Sequence, residues 1–148
     1  MVGVLELEAG LYCLSGGLVV NGSGTLLGSG VTFYLVSGDF DTSGNAQVNL
    51  AGPPARNYSY GSPPIPGVLI YLAKGNEGLV FLRGTSDPDY VGTVYAPDGT
   101  IEVGGTGDSF NVHTQLIGWT VKLHGTPDIF VNFEDESNYQ RPANLEYI

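Results

Sequence analysis

Val31-Thr32-Phe33-Tyr34-Leu35 and Val68-Leu69-Ile70-Tyr71-Leu72 are close to one five-residue string written twice. Gly92-Thr93-Val94-Tyr95-Ala96 and Thr114-Gln115-Leu116-Ile117-Gly118 continue the series. Such short runs, rich in β-branched and aromatic residues, read as strands with one face in a core. Between them sits a second kind of unit, in which a strand runs into a glycine and leaves as another strand. Leu18-Val19-Val20-Asn21-Gly22 leads to Thr25-Leu26-Leu27, and Phe40-Asp41-Thr42-Ser43-Gly44 leads to Gln47-Val48-Asn49-Leu50. Leu79 to Gly84, Ile101 to Gly105 and Val121 to Gly125 repeat the pattern. The glycines at 22, 44, 84, 105 and 125 recur about every 20 to 22 residues, with one longer interval.

That interval contains residues 51–66, a Pro-, Gly- and Tyr-rich stretch that reads as an insertion loop. A period near 20 with three short strands per repeat matches one coil of a β-solenoid. A single coil cannot bury its inner face, whereas stacked coils bury one another's. A β-sandwich also has many short strands, but it gives no reason for similar strings to return at a fixed interval. The expected fold is therefore all-β: a right-handed parallel β-helix of roughly six coils, each about 20 to 22 residues, forming a rod about 25 to 30 Å long. Residues 1–133 form the solenoid domain, and 134–148 an acidic C-terminal cap or linker.

Composition agrees with this. Of 148 residues, 23 are Gly and 9 are Pro, which leaves no room for a long helix. Net charge is -10, and the five cations (Arg56, Lys74, Arg83, Lys122, Arg141) are scattered. Neutralising phosphates takes clustered basic side chains, so nucleic acid and anionic membrane surfaces are not expected partners. No run is long and apolar enough to span a bilayer, so no membrane insertion by this chain is expected. The single cysteine, Cys13, forms no intrachain disulfide, and its neighbours Leu11, Tyr12 and Leu14 predict a buried or half-buried thiol.

The order "GGLVVNG" (16–22), "GSGVTFYL" (28–35), "GNAQVNLAGP" (44–53), "PGVLIYLA" (66–73) and "GTVYAPDGTIEVGG" (92–105) resembles the β-helical region of TadE/TadG-like bacterial surface proteins, associated with Tad (Flp) pilus assembly. The likeness runs over about residues 10–133, and residues 31–35 and 92–100 are its most specific pieces. The resemblance implies an exported, extracellular or cell-surface domain with a structural or adhesive role and no catalytic residues. The membrane-anchoring helix of such proteins has no counterpart in this sequence.

Enzymatic chemistry finds little support. Asp39 and Asp41, spaced i and i+2, would share one strand face about 6 to 7 Å apart, a separation near that of a glycosidase pair and usable by calcium if further oxygens converged. The simpler reading is two solvated acids flanking an inward Phe40, so these residues stand only as weak metal candidates. His113 and His124 lack a transition-metal ligand spacing and read as surface residues. Gly104-Gly105-Thr106-Gly107 lacks the Lys-Ser/Thr and helix of a phosphate loop. No catalytic residue, metal or cofactor is expected.

Loops carry binding function disproportionately, and Tyr with Ser, Gly and Asn makes a good contact surface. Arg56, Tyr58 and Tyr60 of the insertion are thus the candidate ligand- or partner-binding residues. The expected function is that of a non-catalytic extracellular scaffold or adhesion module. Its expected partners are proteins: further copies meeting through the solenoid ends, or other surface and pilus components. A carbohydrate-binding or polysaccharide-degrading β-helix, with a glycan as partner, is one alternative. A self-assembling filament of the bactofilin kind is the other.

Overall fold

The computed structural model describes residues 3–20, 22–42, 46–54, 65–84, 89–105, 109–125, 128–131, 133 and 136–139. Twelve strands occupy them: β1 (Val4–Leu7), β2 (Gly10–Leu14), β3 (Leu18–Val19), β4 (Thr25–Ser29), β5 (Val31–Leu35), β6 (Phe40–Asp41), β7 (Gln47–Ala51), β8 (Val68–Leu72), β9 (Leu79–Gly84), β10 (Asp89–Gly105), β11 (Ser109–Gly125) and β12 (Asp128–Val131). Every ladder is parallel. The chain is a parallel β-solenoid with three faces.

Face one stacks β1, β4, β7, the start of β10, the start of β11 and β12. Face two stacks β2, β5, β8 and the middles of β10 and β11. Face three stacks β3, β6, β9 and the ends of β10 and β11. The two 17-residue strands β10 and β11 each run through all three faces, so each makes one coil. Faces two and three have five rungs each, about four turns from first rung to last. The expected six coils were slightly too many, because β12 alone lies beyond the fifth.

The period is visible in the register. Val4 pairs with Thr25 and Thr25 with Gln47, while Thr93 pairs with Gln115 and Ile101 with Val121. The third coil is longer: Asn49 pairs with Asp89 and Phe40 with Val80. Most of the extra length lies between β7 and β8, at the corner of faces one and two.

Alternation decides which side chains enter the core. On face two Phe33, Ile70 and Val94 lie one above another, and on face three Phe40, Val80 and Ile101 do the same, all at most 2% exposed. Each such side chain contributes about 1.5–3 kcal/mol by leaving water. A one-residue slip would turn every one of them outward, so burial itself holds the register. The same alternation corrects the expectation for Cys13. Tyr12 and Leu14 pack against the core, so Cys13 between them points out and is exposed.

The corner between faces two and three needs glycine at Gly38. Its φ is +87°, and a Cβ there would lie 2.6 Å from the Gly16 carbonyl carbon of the coil below. Asn76 holds the same corner one coil on. It donates from Nδ2 to the carbonyls of Leu35 (3.3 Å) and Gly38 (3.2 Å), and accepts from the Gly78 N–H (2.9 Å). The Leu35 carbonyl also accepts the Ala73 N–H of the next coil at 2.9 Å, so the amide adds a second bond there and gives the turn's own backbone groups partners in place of water.

Candidate functional site

The parallel register that fills the core also lines up what points outward. On face two Cys13 pairs with Tyr34, Tyr34 with Tyr71, Tyr71 with Tyr95, and Tyr95 with Ile117. The tyrosine rings follow the rungs: Tyr34 and Tyr71 stack at 5.4 Å between centroids, and Tyr71 and Tyr95 lie 5.0 Å apart, tilted by 48°. All three are half-buried. Burial pushes the Tyr71 hydroxyl above its ordinary range, and the neighbouring Tyr95, Tyr34 and Tyr139 hydroxyls add to it.

Two segments flank this ladder. The chain returning to β8 covers Thr32, whose hydroxyl accepts from the Ile65 N–H at 3.1 Å and donates to the Val68 carbonyl at 2.8 Å. From the other side Tyr139 donates its backbone N–H to Thr93 Oγ1 at 2.8 Å. Gly67 makes that approach possible: its φ is +74°, and a Cβ would stand 2.6 Å from the Tyr139 nitrogen. Thr32 and Thr93 hold outward strand positions yet are buried, because these segments lie over them. An open groove of about 360 Å³ remains, lined by Ile65, Val68, Tyr71, Thr93, Tyr95, Ile117 and Tyr139. Among the described residues its lining carries hydroxyls and apolar surface but no charge. That lining suits neutral contacts.

The second feature is β11, the last described strand on faces two and three. Val121 and Leu123 stand in register with Ile101 and Val103, which are fully buried. One coil further on the same inward positions are 43% and 54% exposed. Trp119 at the corner of this coil is 81% exposed, and Val131 and Phe133 add further apolar surface. At the opposite end Val4 and Leu5 are exposed, and Leu7, Tyr12, Leu14 and Leu18 are only partly buried.

Family comparison bears on the whole of this architecture. A model described as "Domain of unknown function (DUF7305)" matches residues 14–136. The chain belongs to this family. The match takes in the tyrosine ladder, the exposed coil and the groove-lining residues other than Tyr139. Among curated proteins and solved structures there is no match.

The residues singled out from sequence are distributed unevenly. Asp39 sits at the corner before β6, where its Oδ1 accepts from the Leu79 N–H at 2.7 Å and ties the second coil to the third. Asp41 follows on β6 beside Phe81, with Phe40 buried between the two acids. Among the described residues no three His, Cys, Asp or Glu side chains come close enough to hold a metal ion. His124 Nε2 lies 3.4 Å from Glu102 Oε1, and its ring stacks on Phe81 at 5.9 Å. Arg56, Tyr58 and Tyr60 lie outside the described residues. Sequence reading missed the groove because Tyr139 is far from the ladder along the chain. It also missed the exposed coil, because Val121 and Leu123 carry the same alternation as the buried strands below them.

Proposed function

We propose that the chain is a non-catalytic scaffold module of an exported surface or pilus-associated protein, and that its activity is end-to-end contact between solenoids. The exposed inward positions of the last coil carry this reading. Val121 and Leu123 stand where the coil below buries Ile101 and Val103 completely, and a parallel solenoid buries such residues only under a further coil. The first coil of a second copy has the matching parts, with Leu5, Leu7, Tyr12, Leu14 and Leu18 at its own inward positions. Its strands would continue the same ladders and pair the backbone edge that β11, among the described residues, leaves open on faces two and three. Such a contact is head-to-tail, and because it uses two different surfaces it does not close on itself.

Sedimentation velocity on the purified chain tests this reading. Wild type should form linear oligomers that lengthen with concentration. Leu123→Lys at one end and Leu5→Lys at the other should each stop growth, since both side chains are exposed in the single solenoid. Mixed together, the two variants should yield dimers and nothing longer, because each keeps one working end. A wild-type chain that stays monomeric at high concentration refutes end-to-end self-contact.

The carbohydrate reading has one observation in its favour, the uncharged tyrosine-lined groove. Against it, the middle ring, Tyr71, has Tyr34 on one side and Tyr95 on the other, so it offers a sugar no free flat face. A neutral glycan bound by wild type and lost in Tyr139→Ala would favour it.

A further inference from the structure

We propose that Tyr71 is an oxidative cross-linking site, at which one ring carbon ortho to the hydroxyl becomes bonded to the equivalent carbon of Tyr34 or Tyr95. Three observations meet at this residue. Tyr71 is the middle ring of the ladder, 5.4 Å from Tyr34 and 5.0 Å from Tyr95 between centroids. The three side chains point out of face two and are half-buried, and Tyr71 has a ring on either side, stacked on Tyr34 and tilted by 48° to Tyr95. Their backbones are adjacent rungs of one parallel sheet, held in register by the core beneath, so the paired rings stay together throughout the folded state.

The chemistry is the coupling of two phenols, and the co-reactant is hydrogen peroxide acting through a haem peroxidase. Each of two neighbouring tyrosines gives up one electron and one proton, leaving a phenoxyl radical with spin on its ortho carbons. The two radicals combine to form one carbon–carbon bond. Each ring then regains aromaticity as the hydrogen on its bonded carbon moves to its oxygen. The two electrons and two protons reduce one hydrogen peroxide to two waters. The product is a 3,3′-linked dityrosine, and the chain is lighter by two hydrogen atoms.

Tyr12 and Tyr90, among the described residues, lack this arrangement. Tyr12 packs its ring on Phe33, which has no phenol to couple. Tyr90 is fully buried with its hydroxyl against Thr42 and the Arg83 carbonyl. The cross-link would tie the third coil, which carries the insertion, to the coil below or above it. That is a covalent staple in a fold that has a single cysteine and hence no intrachain disulfide.

The test uses the full chain carrying Cys13→Ser, because an exposed thiol in register with Tyr34 would consume a radical formed there. The protein is treated with a haem peroxidase and one equivalent of hydrogen peroxide. Dityrosine fluorescence, intact mass and peptide mapping are then read. The expected product is dityrosine within one chain, of monomer mass less two hydrogens, in peptides joining Tyr71 to Tyr34 or Tyr95, with a raised Tm. Tyr71→Phe, which keeps a ring in the ladder and so keeps the fold, should abolish the signal. The Tyr34→Phe/Tyr95→Phe double variant should abolish it too, although Tyr71 remains. Tyr12→Phe should leave it unchanged. Dityrosine that persists in Tyr71→Phe, links that join any other pair or only separate chains, or peroxide consumed without dityrosine would each overturn the assignment.

Discussion

Truncating Tyr71 should cost about twice as much in ring contacts as truncating either of its neighbours. Tyr71 meets one ring below at 5.4 Å and one above at 5.0 Å, whereas Tyr34 and Tyr95 each share a single ring contact within the trio. Aromatic pairs of this kind contribute about 0.5–1.5 kcal/mol beyond the area they bury. The Tyr71→Ala variant therefore loses about 1–3 kcal/mol in ring contacts, and Tyr34→Ala or Tyr95→Ala about half of that. Double-mutant cycles in urea isolate the contacts, because losses of strand propensity and of area at each site cancel. The coupling for Tyr34 with Tyr71, and for Tyr71 with Tyr95, should be about 0.5–1.5 kcal/mol. Tyr34 and Tyr95 stand two rungs apart, about 10 Å, so their changes should add to within about 0.5 kcal/mol. Equal coupling for all three pairs would mean that the ladder acts through the sheet as a whole. No coupling for any pair would mean that the stacked rings contribute only area. Either result refutes a nearest-neighbour ladder.

Three further outcomes follow from particular contacts. Tyr90→Phe should destabilise the chain by about 1–2 kcal/mol in chemical denaturation, because the phenol donates to the Arg83 carbonyl at 3.1 Å and lies 2.6 Å from Thr42 Oγ1 in the core; an unchanged midpoint would remove that network from the account. Above pH about 10 stability should fall, because burial raises the Tyr90 and Tyr71 hydroxyls above the ordinary tyrosine range and the unfolded chain loses those protons first. Below that pH both states hold the protons and the two groups leave stability flat. Tyr90, the buried one, contributes a slope of up to about 1.4 kcal/mol per pH unit, so Tyr90→Phe should make the alkaline decline shallower, and an equal decline in both proteins contradicts this. Gly38→Ala should lower stability by about 2 kcal/mol or more, since it combines a positive φ with a backbone atom 2.6 Å from the new carbon; a Tm equal to wild type would show that the corner relaxes.

Much of the fold was legible because a solenoid writes its geometry into the chain as repetition. The recurrence of Val31–Leu35 as Val68–Leu72 placed Tyr34 and Tyr71 at equivalent positions, and the structure stacks them. The inward role of Phe40 and the extra length near residues 51–66 were also readable, from alternation and from the broken period. Cys13 was misread because its neighbours along the chain are apolar; what counts in a strand is the parity of a position, and Cys13 falls on the outward side. Asp39 looked like half of a carboxylate pair, but the corner gives it a backbone N–H of the next coil to hold.

Periodicity and alternation thus determined that this chain winds into stacked parallel coils, since those depend only on spacing along the sequence. Tertiary structure alone decided where coils end and what lies across their flanks. The pattern at Val121 and Leu123 matches that at Ile101 and Val103, yet one pair is exposed and the other buried, because burial depends on whether another coil follows. The groove likewise exists only because Tyr139 comes back to Thr93 and Gly67, a meeting between distant residues for which local sequence carries no sign.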